Sequence, residues 1–144
     1  MVLKEMFSFG QKKVIELDPY QDLKERVQDA NSYVMNKIGD PKAEMFQLQL
    51  GIVPKERIQR FFYDVGSNLE RHRESVKAEL LRHNPMTFPI DKREVIKALG
   101  DLREMCKHLE ENPQHFRVRT TELQHKAQNY MKAADVYRNL STRR

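Results

Sequence analysis

Apolar residues recur four, three and four positions apart in separate stretches of the chain. Leu23, Val27, Ala30 and Val34 make the first stretch, and Ile58, Phe62, Val65 and Leu69 the second. Val95, Leu99, Leu102, Cys106 and Leu109 make the third. Phe116, Leu123, Ala127, Tyr130, Ala134 and Tyr137 make the fourth, with small Thr120, Ala127 and Ala134 set between large side chains. This spacing puts one narrow apolar seam on each of four helices. Four seams can be hidden from water together, so the pattern predicts an all-α fold, an antiparallel bundle of four main helices.

The breaks between the stretches carry boundary signals. Asp18-Pro19 reads as an N-cap followed by proline at the first helical position, and Gly39 as a left-handed cap, which predicts a first helix over 18–38. Asp40-Pro41 repeats the start signal and Gly51 supplies a stop, predicting a short extra element at about 41–50. Phe46, Leu48, Leu50 and Ile52 alternate, as a strand would, but the flanking caps favour a short helix. Pro54 opens the longest helix, about 54–83, with Gly66 inside it. Asp91 and Glu94 form a capping box, with Ile90 and Val95 placed as a hydrophobic staple, at the start of a third helix over 91–111. Asn112-Pro113 restarts the chain. Phe116–Thr120 reads as helix or extended, with Thr121 as a later cap, and Leu123–Leu140 as helix. These short connections favour antiparallel neighbours.

The chain has 144 residues, enough for a single domain over 1–144 with a core of its own. Charged residues make up 33% and there are only five glycines, which suits solvated helices better than a turn-rich sandwich. No apolar run approaches the roughly 18 residues needed to cross a bilayer, and the first ten residues do not read as a secretory signal. A lone cysteine, Cys106, cannot close an internal disulfide and points to a reducing, cytoplasmic compartment.

The net charge of +5 is unevenly distributed. From His115 onward the basic residues are Arg117, Arg119, Lys126, Lys132, Arg138, Arg143 and Arg144, against only Glu122 and Asp135. The rest of the chain is balanced. Such asymmetry marks an anionic partner or simply complements a helix C-terminus.

The sequence holds little that points to catalysis. Glu122 and His125 have the spacing of half a di-iron site, but no second Glu-x-x-His exists to complete it. Glu104 and His108 read as an exposed helix pair. His72 continues the seam of the second helix and reads as a half-buried structural histidine, its proton affinity lowered by Arg71 and Arg73. Cys106 lies on an apolar stripe, where thiols are inert. No phosphate loop, nucleophile elbow or zinc-protease motif occurs. The expectation is a protein that is no enzyme and needs no cofactor or metal.

Two kinds of partner remain. The leading expectation is a helical adaptor or scaffold acting by protein–protein contact, with self-association a further expectation. Its candidate surfaces are the apolar N-terminal segment with Phe7 and Phe9, the Met45–Ile52 stretch with Met45 and Phe46, and Met86 and Phe88 near the loop at 84–90. The alternative is a nucleic-acid-binding accessory protein using the basic last helix, with Lys55, Arg57 and Arg60 as a second patch. Leu50–Arg60 superficially resembles the turn and second helix of a helix-turn-helix, with Gly51 in the turn. The match is out of register, since Arg57 stands where an apolar residue belongs and Ile58 is one place late. A membrane is not an expected partner: the last helix offers Tyr and Ala, not Leu, Phe or Trp, on its apolar side.

Overall fold

The computed structural model describes residues 18–140. Within them four α-helices form the bundle that the seams require: α1 (Gln21–Val34), α2 (Lys55–Leu80), α3 (Arg93–Glu111) and α4 (Phe116–Arg138). No strand occurs among the described residues. Every seam residue named above is buried except Ile58 and His72, which are half-buried. Burying a side chain of Leu or Phe size is worth roughly 1.5–3 kcal/mol, so removal of these rows from water drives the fold.

Cross-helix hydrogen bonds show that neighbouring helices run antiparallel. The Tyr130 hydroxyl on α4 donates to the Val27 carbonyl midway along α1 at 2.9 Å. Asn68 Nδ2 on α2 donates to the Tyr33 hydroxyl at the end of α1 at 2.9 Å. Gln59, at the start of α2, reaches the Glu110 carbonyl at the end of α3. Gln124, early in α4, reaches Gly39 just past α1. Burial pushes the Tyr130 hydroxyl far above its ordinary pKa, so the bond to Val27 is held as a neutral donor.

The helix boundaries depart from the cap reading in one consistent way. Asp18 is not an N-cap: its carboxylate accepts from the Tyr20 N–H at 2.8 Å, and α1 begins at Gln21. Asp40 does the same to Lys42, Asn84 to Met86 and Asp91 to Arg93. These are Asx turns, in which the side chain bonds the amide two residues on. Three of the four hold proline at the intervening position. The Asp91–Glu94 capping box is therefore not formed, and α3 begins two residues later than expected. Pro54 stands just outside α2, and Thr121 lies inside α4.

Gly39 is not the expected left-handed cap, since the described residues have a positive φ only at Gly51. Instead α1 runs on into a π-helical turn, Met35–Gly39, closed by a 3.0 Å bond from the Asp40 N–H to the Met35 carbonyl. Gly39 is buried against α4, where a Cβ would lie 2.5 Å from Met131 Sδ. The Phe116–Thr120 stretch is helical, following a short 3-10 turn at Pro113–His115. The extra element is also helical, a 3-10 turn at Glu44–Gln49. No helix of the described residues is long and apolar enough to cross a membrane.

Candidate interaction surface

The extra element does not present the face expected of it. Met45 and Leu48, three apart, turn into the core, and Phe46 packs partly against it. Met45 is therefore a core residue rather than a docking residue. The apolar side chains that remain outside are the two that follow: Leu50 is 73% exposed and Ile52 fully exposed.

This loop is held in place by residues far away in sequence. Gln49 Nε2 donates to Thr120 Oγ1 at 3.0 Å, and that hydroxyl donates in turn to the Phe116 carbonyl at 2.7 Å. The Arg117 guanidinium donates to the Gly51 carbonyl at 3.0 Å. Gly51 itself has φ +72°, a left-handed conformation that glycine adopts without a Cβ penalty. The segment thus lies against the first turn of α4. Val118, between the two anchoring residues and opposite the buried seam, is 82% exposed.

Exposed cations lie at the same end of the bundle. Lys55, Arg57 and Arg60 lie exposed on the first two turns of α2, the helix into which the loop leads. Together with Arg117 they form no ion pair with another described residue. The structure therefore gathers at one end of the bundle residues that sequence reasoning had assigned to separate surfaces: the end of the Met45–Ile52 stretch, the Lys55–Arg60 patch and the start of the basic last helix.

The remaining basic residues of α4 do not form one stripe. Arg119 pairs with Glu122 at 3.2 Å and Arg138 with Asp135 at 3.1 Å, both within the helix. Lys126 and Lys132 line a groove of about 490 Å³ between α3 and α4, facing Asp91, Glu94 and Asp101. Tyr137 closes this groove; its buried hydroxyl has no hydrogen-bond partner among the described residues, and burial, with Asp91 nearby, pushes its pKa up to about 12. Arg143, Arg144, Phe7 and Phe9 lie outside the described residues. Met86 is 88% exposed, whereas Phe88 is half-buried against the core.

The candidate titratable groups are dispersed. His72 is half-buried with its ring 5.3 Å from that of Tyr33. Burial chiefly, and Arg71 secondarily, lower its pKa, while Asp29 opposes them. His108 does not pair with Glu104; its Nε2 lies 3.0 Å from His115 Nδ1, and the two rings stack across the α3–α4 turn. His125 is exposed and Glu122 is engaged by Arg119. Cys106 is buried, which raises its thiol pKa far beyond the reactive range. Among the described residues no three His, Cys, Asp or Glu side chains converge as a metal site would need.

The chain matches no protein-family model, no curated protein and no solved structure.

Proposed function

We propose that this protein is a non-catalytic helical adaptor or scaffold that acts by protein–protein contact. The observation that carries this reading is the pair of exposed aliphatic residues Leu50 and Ile52 on a loop anchored to the first turn of α4, the turn that also exposes Val118. Single exposed apolar residues are ordinary, but a group rimmed by polar residues marks an interaction site. Two side-chain hydrogen bonds and one left-handed glycine hold this loop in place, which lowers the ordering cost of binding. The lone buried cysteine fits a reducing, cytoplasmic setting.

A photo-crosslinking amino acid placed at position 52 or 118 tests the reading. Protein adducts from both positions, and none from a probe at exposed position 128 on α4, are expected. Equal labelling from all three positions would refute the assignment of the surface.

The second reading is a nucleic-acid accessory protein, supported by the exposed Lys55, Arg57, Arg60 and Arg117 at the same end, which form no ion pair with another described residue. It requires binding that falls steeply with salt and that disappears when Lys55, Arg57 and Arg60 are reversed in charge. Adducts from positions 52 and 118 to nucleic acid rather than protein would favour it.

A further inference from the structure

We infer that the groove between α3 and α4 receives the chain's own segment preceding Asp18, with Phe7 and Phe9 as its anchoring side chains. This surface is separate from the Leu50–Ile52 loop, so the inference goes beyond the adaptor reading and does not depend on it. The groove has a volume of about 490 Å³. Glu94, Ala98 and Asp101 of α3 line one wall, and Asn129, Ala133 and Val136 of α4 line the other. These are the three- and four-residue steps of a single helix face. The floor is apolar: Ile90, Ala98 and Ala133 are half-buried against the core, and Val136 is 51% exposed. Along α4 the lining runs from Lys126 to Tyr137, about 16 Å at the rise of a helix.

The place where the described chain begins identifies the occupant. The Tyr20 ring, two residues after Asp18, lies 5.6 Å from Phe88, and Phe88 lies 6.2 Å from Tyr137, which closes the groove. Ile90, two residues past Phe88, lines the same end. The chain before Asp18 therefore starts beside the groove. That segment lies outside the described residues, and its sequence carries Phe7, Phe9, Val14, Ile15 and Leu17. At the span of extended backbone, the nine residues from Asp18 back to Phe9 cover about 30 Å, enough to cross the end of the bundle and follow the groove. A tethered segment also meets the groove at an effective concentration on the order of millimolar, an advantage that no free partner has.

Two further observations agree. The Tyr137 hydroxyl is buried with no hydrogen-bond partner among the described residues. Buried polar groups are ordinarily paired, so this end of the groove lacks a contact that residues 18–140 do not supply. The rims carry both signs, with Asp91, Glu94 and Asp101 on the α3 side and Lys126 and Lys132 on the α4 side. A nucleic acid or an anionic bilayer would meet three carboxylates there. The segment before Asp18 carries both signs itself, with Lys12, Lys13 and Glu16.

A nitroxide at position 11 of the full chain tests this. Gln11→Cys supplies the thiol to be labelled, while Cys106 is buried and stays unlabelled. The expected outcome is broadening of the amide signals of residues 94–101 and 129–137, with those of 52–60 and 104–111 unaffected. F7S/F9S should abolish the broadening, and A133Q, which puts a longer side chain into the groove, should do the same. Thermal unfolding verifies that the bundle is intact in A133Q, and F7S/F9S changes no described residue. Weak broadening spread evenly over the bundle would overturn the inference. Broadening centred on residues 50–52 and 118 would overturn it by placing the segment on the other surface. Broadening that survives F7S/F9S would overturn the anchoring by the two phenylalanines. Isotope-labelled chain mixed with unlabelled chain carrying the nitroxide separates the remaining occupant. Broadening in that mixture as strong as within one chain would overturn the inference in favour of a second copy.

Discussion

At the end of the bundle where α1 begins, Phe88 is tucked under the chain; at the other end Ile52 stands in water. Both residues come from connections between helices, and both were candidates for docking by composition alone. The Phe88 ring lies 5.6 Å from Tyr20, 5.6 Å from His83 and 6.2 Å from Tyr137. Lys92 completes the cap: its ammonium sits 4.9 Å from the Phe88 ring centre and donates to the Leu80 and His83 carbonyls at the end of α2. The Leu80 carbonyl also accepts from the His83 N–H in the turn that follows α2, so the lysine ties that turn and the aromatic cluster together. The opposite end has equivalent anchors in Arg117 and Gln49, yet they hold the apolar side chains outward. Similar residues serve stability at one end, and at the other they are left available for contact.

The difference predicts unequal responses to truncation. Phe88→Ala removes the ring that ties α1, the 84–92 loop and α4, and should destabilise the protein by about 2 kcal/mol. That is below the 3–5 kcal/mol of a fully buried Phe, because Phe88 is half-exposed. Urea unfolding measures it, and the rate of Cys106 alkylation gives an independent reading. The Cys106 thiol is buried and its pKa raised, so a reagent reaches it only when the core opens. A Phe88→Ala variant as stable as the parent would show that the cap contributes nothing.

Gly51→Ala tests the other end. A Cβ at this position meets nothing within 4 Å, but φ is +72°, so the penalty is conformational rather than steric. An L-residue in the left-handed region costs about 1–2 kcal/mol. The chain can relieve that strain locally by giving up the Arg117 bond to the Gly51 carbonyl. The expected result is a stability loss of about 1 kcal/mol or less, together with altered chemical shifts confined to residues 49–53 and the start of α4. Shifts spreading into α1 would contradict the independence of the two ends.

How far these ends could be read in advance differs as well. The four seams were legible because burial on a helix repeats with its turn, and each seam residue reports on its own neighbours three and four away. The starts of α1 and α3 were placed early. An aspartate near a helix start looks the same whether it caps the helix or closes an Asx turn before it. The choice is made by the residue that follows, as at Tyr20, which commits its ring to His83 and Phe88. Met45 and Ile52 could not be told apart. Which of them turns inward depends on Arg117 and Thr120 holding the loop from the far side of the chain, a relation with no local signature. Lys55, Arg57 and Arg60 were visible as charges. That they share one end of the bundle with Leu50, Ile52 and Val118 follows only from the antiparallel packing of α2 and α4 against α3.

Protonation should also distinguish the ends. His83, in the aromatic cap, has a pKa lowered from the ordinary 6.5, first by burial and then by Lys92 and Arg82, against Glu79. The folded protein therefore holds this imidazole neutral where the unfolded chain would protonate it. Its contribution to stability is complete above pH 6.5 and is lost as pH falls through the lower folded value. His72 on α2 shifts in the same direction and adds to the slope. Unfolding midpoints measured between pH 7.5 and 5 should fall on acidification, and His83→Gln should flatten part of that fall. An unchanged slope in His83→Gln would mean that the cap does not sense protonation.

The smallest expected effect bears most directly on function. Ile52→Ser and Val118→Ser, alone or together, should change stability by no more than about 0.5 kcal/mol in either direction, because the replaced side chains are already in water. Folding gains nothing from Ile52, whose side chain is as exposed in the folded chain as it can be. A substitution that leaves unfolding untouched but abolishes crosslinking from a probe at the neighbouring position would separate contact from stability. A loss of 2 kcal/mol in the double variant would instead mean that these residues pack against something within the chain. The outward-facing end would then be a second cap, and the contrast with Phe88 would disappear.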